Sequence, residues 1–330
     1  MARFALRCLS PLYATAVRLR NAGYDYRFYE PHRPAVPVIS IGNITAGGTG
    51  KTPTVALIAN WLSERAEKPC LLSRGYHAAD PETGNDEKLL LDRLCPDVPH
   101  LQNPDRSASS RLAEQQHGAT VLVLDDGFQH RQLARDLNVV LIDATEPFGM
   151  GFVLPRGLLR EPTSGLKRAD LFVITRCDQV ATAVLGEVRH QLKRFGKPIV
   201  EIAFKPSCLV DAAGNTSPLD DCPDSGVAAF CGIGNPDAFR TTLDALAIEP
   251  AFFHAFPDHC HYAKSHLRQL QQLAVKHDVT TLLCTEKDIV KLQDFEEVTV
   301  KAVRIGAVVM DGQQELETAL LGVLGRQTAE

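Results

Sequence analysis

Residues 42–53 read GNITAGGTGKTP, a glycine-rich run that ends in Gly-Lys-Thr. The hydrophobic run VPVISIG at 36–42 precedes it, and the helix-compatible segment TVALIANWLSERA at 54–66 follows it. This order of strand, loop and helix is typical of a phosphate-binding loop, in which backbone N–H groups and the positive end of the helix surround a phosphate chain. Lys51 would reach the terminal phosphates, and the Thr52 hydroxyl would bind Mg²⁺. The stretch therefore predicts a P-loop protein that handles nucleotides.

The loop departs from the usual pattern at one position. Thr45 stands where that pattern has its first glycine, and Gly47 and Gly48 lie inside the loop instead. The alternative interpretation is a glycine-rich turn beside a surface lysine, and the flanking strand and helix favour the phosphate loop over it. The predicted nucleotide-binding residues in the loop are Thr45, Gly47, Gly48, Thr49, Gly50, Lys51 and Thr52.

Length, composition and charge narrow the class of protein. A chain of 330 residues with 45% hydrophobic residues can bury a large core, which excludes a disordered protein. The net charge of -5 offers no general basic surface, so we expect no nucleic-acid partner. Nine cysteines occur without a C-x-x-C pair, a pattern that indicates a reducing compartment and argues against a zinc ribbon.

Beyond the loop, short apolar runs alternate with helix-compatible stretches, as in a parallel sheet covered on both faces. Strands of a first lobe are predicted at residues 69–73, 120–124, 139–142, 171–175 and 199–204. A polar, turn-rich stretch at 207–225 marks a boundary, and strands at 227–233 and 281–284 follow it. The predicted fold class is α/β, a P-loop NTPase-type parallel-sheet lobe with a second, smaller α/β lobe. The predicted parts are an N-terminal helical region (1–30), the P-loop lobe (31–206) and the smaller lobe (207–330).

The N-terminal region is basic and amphipathic. Residues 1–34 contain six arginines and only two acidic residues. In a helix over residues 3–22, one face would carry Phe4, Cys8, Leu12, Ala16 and Leu19. The apolar stretch between its arginines is too short to cross a bilayer. Two interpretations stay open, a helix lying in the interface of an anionic membrane and a helix packed on its own domain.

Two adjacent carboxylates follow a predicted buried strand in VLVLDDGFQH at 121–130. In P-loop enzymes an Asp at the end of a neighbouring strand holds Mg²⁺ opposite the hydroxyl of the loop. Asp125 and Asp126 are therefore candidate metal ligands, and since successive strand residues point to opposite sides, we expect them to have different roles. A simple Asp-Asp-Gly turn is the alternative.

Other candidate residues follow further strands and turns. Arg74, in LSRGY at 72–76, follows the second predicted strand at the edge where ligands of open α/β sheets bind. The turn FPDHCHY at 256–262 contains His259 and His261 beside Asp258, which suits acid–base chemistry, a metal or a surface histidine cluster.

Taken together, these motifs resemble the tetraacyldisaccharide 4'-kinases of lipid A biosynthesis. The resemblance runs along nearly the whole chain in the order GNITAGGTGKTP, LLSRGY, NDE (85–87), PDR (104–106), DDGFQH, LPRGLLRE (154–161), GIGNP (232–236), FPDH and TEKD (285–288). Thr45 is the form that this family uses at the atypical loop position. The family fold, a P-loop lobe joined by a short β-linker to a smaller α/β lobe, agrees with the predicted boundary.

The resemblance implies roles for individual residues. Lys51 and Thr52 would bind the phosphates of ATP and Mg²⁺, with Asp125, Asp126 and Glu161 around the metal, and Arg74 and Arg106 would lie near the reacting groups. The catalytic pair of the family corresponds to Asp86 and His259. This chain has Asn85 and Lys88 where the family often has Gly and Pro. Since Asp86 falls in the predicted P-loop lobe and His259 in the smaller one, closure of the lobes would assemble the pair.

The implied reaction is transfer of the γ-phosphoryl group of ATP to the 4'-hydroxyl of an acylated glucosamine disaccharide 1-phosphate. The implied location is peripheral, at the cytoplasmic face of the bacterial inner membrane, with the N-terminal helix on the anionic membrane and the protein a monomer. A P-loop nucleotide switch or metallochaperone is the main alternative, and the lack of paired cysteines counts against it. A soluble small-molecule kinase or ligase is disfavoured by the amphipathic helix.

Overall fold

The computed structural model describes residues 2–75, 85–258, 260–292 and 298–325, and the side chains of its first helix from Leu9 onward. The helices are α1 (Ala2–Asp25), α2 (Lys51–Ser63), α3 (Asp86–Leu94), α4 (Arg106–His117), α5 (Thr182–Lys193), α6 (Pro236–Ala245), α7 (Lys264–Lys276), α8 (Glu286–Ile289) and α9 (Gln313–Leu324). The strands are β1 (Val38–Asn43), β2 (Pro69–Ser73), β3 (His100–Gln102), β4 (Val121–Asp125), β5 (Leu137–Asp143), β6 (Leu171–Thr175), β7 (Ile199–Val210), β8 (Thr216–Ser217), β9 (Val227–Cys231), β10 (Phe253–Ala255), β11 (Thr281–Thr285) and β12 (Thr299–Asp311).

The chain forms two compact units, and unit 1 comprises residues 1–76, 95–204 and 307–330. Its strands follow the order β7-β6-β5-β1-β4-β2-β3, and each neighbouring pair is parallel. All residues of β1, β2, β4, β5 and β6 are buried. This is the reason that these strands read as continuous apolar runs in the sequence, since helices cover both faces of a parallel sheet.

Unit 2 comprises residues 77–94 and 205–306. Its strands β10, β9, β11 and β12 are parallel neighbours in that order, and β8 pairs antiparallel with the second half of β7. Phe230, Leu282 and Ala302 are fully buried in its core. Both units are therefore α/β, and the predicted fold class is confirmed.

The division of the chain differs from the predicted one in two segments. Residues 77–94 belong to unit 2, although the prediction placed them in the P-loop lobe, and residues 307–330 belong to unit 1. Helix α3 joins unit 2 because it packs on α8, and α9 joins unit 1 because it packs on β5. The strands β7 and β12 each pass from one unit to the other, with β7 leaving unit 1 at Phe204.

The carboxyl ends of β1 and β4 place the first two sequence signals side by side. The two strands are parallel neighbours, with Ile41 opposite Asp125. The glycine-rich loop leaves β1 two residues after Ile41, and Asp126 follows the last residue of β4. Since the carboxyl ends of parallel strands meet at one edge of the sheet, the loop and the two carboxylates share that edge.

Helix α1 packs on the rest of unit 1 through small and polar side chains. Ser10 Oγ donates to the carbonyl of Val153 at 2.7 Å, Tyr13 donates to the carbonyl of Arg160 at 2.8 Å, and Ala14 is buried. The expectation of a helix packed on its own domain is thus confirmed for this face. Among the residues that the structure describes, no helix has the length and apolarity needed to cross a bilayer.

Candidate active site

The loop between β1 and α2 has the backbone shape of an anion-binding site. Gly47 and Gly50 have positive φ angles of 121° and 81°, a conformation that glycine adopts without steric cost. Helix α2 begins at Lys51, directly after Gly50. The first N–H groups of a helix lack partners within it and carry the positive end of its dipole, so this terminus favours a phosphate. A Cβ atom at Gly47 or Gly48 would meet nothing within 4 Å, which leaves room beside the loop.

Neighbouring strands hold the loop from outside. Arg176 Nη2 donates to the carbonyl of Gly48 at 2.8 Å, and Thr175 Oγ1 donates to the carbonyl of Thr49 at 3.0 Å. Arg176 is itself ion-paired with Asp143 at the end of β5. Because these bonds occupy carbonyl oxygens of the loop, they fix its backbone before a ligand binds. The Oγ1 atom of Thr49 is buried and has no hydrogen-bond partner among the described residues.

Gly50 lies close to the ring of Phe204, so its substitution should affect the stability of the protein. An added Cβ atom would lie 2.1 Å from the ring of Phe204, at a φ angle that disfavours other residues. We expect Gly50→Ala to lower the free energy of unfolding by about 2 kcal/mol or more. Gly48→Ala is the matched control, since its Cβ would meet nothing and its φ is not positive. Urea unfolding checks this, and equal stability of the two variants would contradict it.

Lys51 lies between the ends of β1 and β4. Its Nζ atom is 3.2 Å from Oδ1 of Asn43 and 3.6 Å from Oδ1 of Asp126. Asn43 also donates from Nδ2 to the carbonyl of Thr45 at 2.6 Å, which ties the strand end to the loop. Asn43 was not among the predicted site residues, and the only sequence signal for it is its place as the last residue of β1.

The two adjacent carboxylates lie in different environments. Asp125 ends β4 and is buried, whereas Asp126 turns away with a φ of 50° and is half-buried. Burial by itself would raise the pKa of the Asp126 carboxyl, but Lys51 and Arg160 beside it, together with Arg106, hold that pKa below its ordinary value. The Asp126 carboxylate therefore stays charged at neutral pH.

Two arginines converge on Asp126. Arg160 Nη1 lies 2.9 Å from Oδ1 and 2.7 Å from Oδ2 of its carboxylate. Arg106, the first residue of α4, donates from Nη1 to the backbone carbonyl of Asp126 at 3.2 Å and is 3% exposed. The side chain of Asp105 caps this helix by accepting hydrogen bonds from the N–H groups of Ser107 and Ala108, both at 3.0 Å. This cap fixes the start of the helix at Arg106.

Burial lowers the pKa of the Arg106 guanidinium, and Arg74 nearby lowers it further, while the charges of Asp125 and Asp126 act in the opposite direction. The role of Arg74 and Arg106 near the reacting groups stays a prediction. With Lys51, Arg106 and Arg160 against Asp125 and Asp126, the cluster carries three positive and two negative charges. This balance favours an anionic ligand.

Glu161 is buried in a network of hydrogen bonds. Its carboxylate accepts bonds from Arg168 at 2.8 Å to each oxygen, from Gln129 at 3.0 Å and from Asn21 of α1 at 3.0 Å. Within the described ranges, no three Asp, Glu, His or Cys side chains are grouped as around a metal ion. The expected trio of Asp125, Asp126 and Glu161 is thus not found as a cluster, because Arg168 and Asn21 hold Glu161 against α1.

Asp86 and His259 are the predicted catalytic pair. Asp86 is the first residue of α3 in unit 2, and its Oδ2 lies 3.2 Å from Nζ of Lys291. The structure therefore places Asp86 in unit 2 and not, as expected from the sequence, with the phosphate loop. Assembly of the pair by lobe closure stays a prediction. His259 lies outside the described residues.

His130, in the loop after Asp126, should make the stability of the protein depend on pH. Burial and the nearby charges of Arg106, Arg135 and Arg20 lower the pKa of its imidazole to about 4. The unfolded chain would bind a proton below about pH 6.5, whereas the folded protein would not until about pH 4, so stability falls as pH drops through this window. From pH 7.5 to 5 this residue should contribute about 2 kcal/mol of that loss.

Urea unfolding of His130→Gln at both pH values measures the contribution. The variant should lose less stability on acidification than the wild type. His117→Gln, at the exposed end of α4, is the control. An unchanged pH dependence in His130→Gln would contradict the prediction.

The chain is similar to known proteins in sequence and in structure. A family model described as tetraacyldisaccharide-1-P 4'-kinase matches residues 2–325. The tetraacyldisaccharide 4'-kinase of Syntrophus aciditrophicus is 39% identical over 324 residues, covering 90% of this chain and 86% of that protein. The one from Halothermothrix orenii is 34% identical over 317 residues, covering 87% and 82%. The crystal structure of LpxK from Aquifex aeolicus, in complex with ATP, is similar with a TM-score of 0.80 and 30% identity, covering 98% of this chain and 99% of that one.

Proposed function

Because the chain belongs to the tetraacyldisaccharide 4'-kinase family, we propose that it transfers the γ-phosphoryl group of ATP to the 4'-hydroxyl of an acylated glucosamine disaccharide 1-phosphate, a lipid A precursor. Members of this family are kinases that phosphorylate a hydroxyl group. The main support for this proposal is the position of Lys51. It directly follows the glycine-rich loop, and its ammonium group lies 3.6 Å from a carboxylate oxygen of Asp126, at the end of the neighbouring strand.

The phosphates of ATP fit the loop between β1 and α2. The backbone from Thr45 to Gly50 would surround them, and the buried Thr49 hydroxyl, which has no partner among the described residues, offers a further donor. Lys51 and Arg74 would neutralise phosphate charge. The related Aquifex aeolicus enzyme was crystallised in complex with ATP, which supports this assignment.

The residues also fit Mg²⁺, a hard cation that prefers oxygen ligands. The Thr52 hydroxyl lies in the first turn of α2, and the buried Asp125 carboxylate ends the adjacent strand. We assign these two as the groups that would hold the ion, which when bound offsets the charge of the phosphates. Asp126 would instead act through Lys51 and Arg160, which already contact its carboxylate.

The reaction itself is a direct transfer. The 4'-oxygen of the sugar forms a bond to the γ-phosphorus, the bond between that phosphorus and the β,γ-bridging oxygen breaks, and ADP leaves. Asp86, together with His259, would accept the proton of the hydroxyl. Lys51 and Arg106 would stabilise the charge that spreads over the phosphoryl oxygens. The Nε–H of Arg106 is buried and has no partner in the described structure, so it can donate to such an oxygen.

The exposed face of α1 supports a membrane-bound position. Leu12 and Leu19 are 68% and 69% exposed, and Ala16 between them is exposed as well. This stripe contains the described members of the predicted apolar face, while the opposite face packs on unit 1. An exposed apolar stripe beside arginines suits the interface of an anionic membrane. We therefore propose a monomeric, peripheral enzyme at the cytoplasmic face of the inner membrane, without a nucleic-acid partner.

Binding to vesicles tests the stripe. The double variant Leu12→Gln and Leu19→Gln should bind vesicles containing anionic phospholipid at least about tenfold more weakly, because two leucine side chains contribute about 1.5 kcal/mol or more each when buried. Val275→Gln is the control, since Val275 is an even more exposed apolar residue on α7. Sedimentation with vesicles measures the partitioning, and equal binding of the double variant and wild type would exclude this face as the anchor.

The test of the function is transfer of labelled γ-phosphate from ATP to an acylated disaccharide 1-phosphate in detergent. A labelled bisphosphorylated lipid from the wild-type protein is the expected product. ATP binding without any lipid product would contradict the kinase proposal. Slow hydrolysis stimulated by a protein partner, or a bound transition metal, would then favour a nucleotide switch or metallochaperone.

A further inference from the structure

Unit 2 contains a buried lysine between two carboxylates. Lys291 follows α8, and its Nζ atom lies 3.2 Å from Oδ2 of Asp86 and 3.8 Å from Oδ1 of Asp288. The lysine side chain is only 7% exposed. Helix α3, which begins at Asp86, packs on α8, so the Asp86 carboxylate and the ammonium group are brought together by neighbouring helices.

Asp288 is held rigidly on the other side of the lysine. It is fully buried, and its Oδ1 accepts from the N–H of Gly232 at 3.0 Å and from the hydroxyl of Tyr262 at 2.8 Å. Its Oδ2 accepts from Thr285 Oγ1 at 2.6 Å. A carboxylate that accepts three such bonds has one favoured orientation.

Tyr262 is fixed as a donor in this network. Burial and the charge and hydrogen bond of Asp288 raise the pKa of its hydroxyl, so the group stays protonated. Its ring packs edge-on against Phe230 and Phe256, with ring centroids 5.6 and 5.4 Å away. The Nζ atom of Lys291 lies 5.8 Å from the centre of the Tyr262 ring. The aromatic cluster therefore orients Tyr262, and Tyr262 orients Asp288.

The network around Asp288 contains residues of two sequence motifs that have no role in the proposed function. Gly232 begins GIGNP, and Thr285 and Asp288 are the first and last residues of TEKD. A Cβ atom at position 232 would lie 2.9 Å from the Tyr262 oxygen and 3.2 Å from Oδ1 of Asp288, so glycine lets the backbone approach the carboxylate. Both motifs thus converge on the group that holds Lys291.

A buried ion pair contributes little net stability, because removing two charges from water offsets most of their attraction. What such a pair does provide is a defined position for each partner. We propose that Lys291, anchored by Asp288, is a positioning residue for the phosphoryl transfer: it holds the Asp86 carboxylate ionised and oriented to accept the proton of the lipid hydroxyl. This inference rests on the proposed function of Asp86.

The experiment compares Lys291→Met, which keeps the length of the side chain without its charge, with Lys291→Arg. We expect Lys291→Met to lower kcat for lipid phosphorylation on the order of 100-fold, within the range that a positioned general base contributes. The KM for ATP should stay within about twofold, because the phosphate loop lies in unit 1. The kcat of Lys291→Arg should be at least about tenfold higher than that of Lys291→Met, since arginine restores the positive charge. Lys276→Met, on the exposed side of α7, is the matched control.

A double mutant separates positioning from a general structural role. If Lys291 acts through Asp86, adding Lys291→Met to Asp86→Asn should cost no further activity, whereas independent structural damage would add to the loss. If Lys291→Met does not fold, Tyr262→Phe tests the inference instead, because it keeps the aromatic ring and removes one hydrogen bond to Asp288. It should lower kcat severalfold with an unchanged KM for ATP.

Two results would overturn the inference while leaving the proposed function intact. One is a Lys291→Met variant with near wild-type kcat beside an inactive Asp86→Asn. The other is a double variant that is clearly worse than Asp86→Asn alone. A wild-type protein that transfers no phosphate to the lipid would overturn the proposed function, and the role of Lys291 with it.

Discussion

Replacing Lys51 by methionine should lower kcat/KM for lipid phosphorylation on the order of 1,000-fold, the loss typical of removing a preorganised charge from a phosphoryl-transfer site. The ammonium group lies 3.2 Å from Asn43 and 3.6 Å from Asp126, at the start of the helix that follows the glycine loop. Methionine has a similar length without the charge, so the phosphates would lose the cation at the start of α2. The Asp126 carboxylate would keep Arg160, which limits structural damage.

Initial rates of label transfer, with ATP and lipid varied separately, measure the effect of this substitution. Lys193→Met is the control, since Lys193 is an exposed residue of α5 in the same unit. A loss smaller than about tenfold would not fit a group that stabilises the transition state. It would indicate that the phosphates bind elsewhere on the protein.

Asp86→Asn should lower kcat by about 100-fold to 1,000-fold while the KM for ATP changes little. The substitution keeps the shape of the side chain and removes its ability to take a proton, and general base catalysis contributes an effect of this size. Asp92→Asn is the control on the same helix, where the carboxylate pairs with Lys88 at 2.6 Å. We expect that control to retain nearly full activity, because an i,i+4 surface pair contributes only a few tenths of a kcal/mol.

The two variants should differ in their affinity for ATP. Lys51→Met should weaken ATP binding as well as transfer, whereas Asp86→Asn should leave ATP binding intact. Equilibrium binding of ATP separates the two effects. If Asp86→Asn weakened ATP binding as much as Lys51→Met, its role as proton acceptor would be wrong.

The strands and the loop of the site could be predicted from the sequence where the pattern lies within one strand and the loop that follows it. The predicted strand at 69–73 is β2 without change, and the predicted strand at 120–124 is β4 with a shift of one residue. The loop begins and ends where the glycines indicated. A buried parallel strand needs a continuous apolar run, and a tight phosphate loop needs residues with positive φ, so both leave a pattern within a few positions.

The partners of these residues left no such pattern. Arg160 contacts Asp126 across 34 positions of the chain, and Asn43 contacts Lys51 only because the loop folds back. Arg160 was visible in the LPRGLLRE motif, yet nothing in that motif tells which acidic group it meets. The same holds for Glu161, whose partners Asn21 and Arg168 lie on opposite sides of it in the sequence.

The α/β phosphate-loop fold and the resemblance to the tetraacyldisaccharide 4'-kinases could both be inferred from the amino-acid sequence, because both depend on short contiguous runs of residues. Three features became visible in the folded protein alone: α3 carries Asp86 into unit 2, Glu161 binds Arg168 and Asn21, and Lys291 lies between Asp86 and Asp288. Those contacts join side chains that are distant in the chain, and the packing of whole helices and strands, which no local pattern encodes, is what brings them within hydrogen-bonding distance.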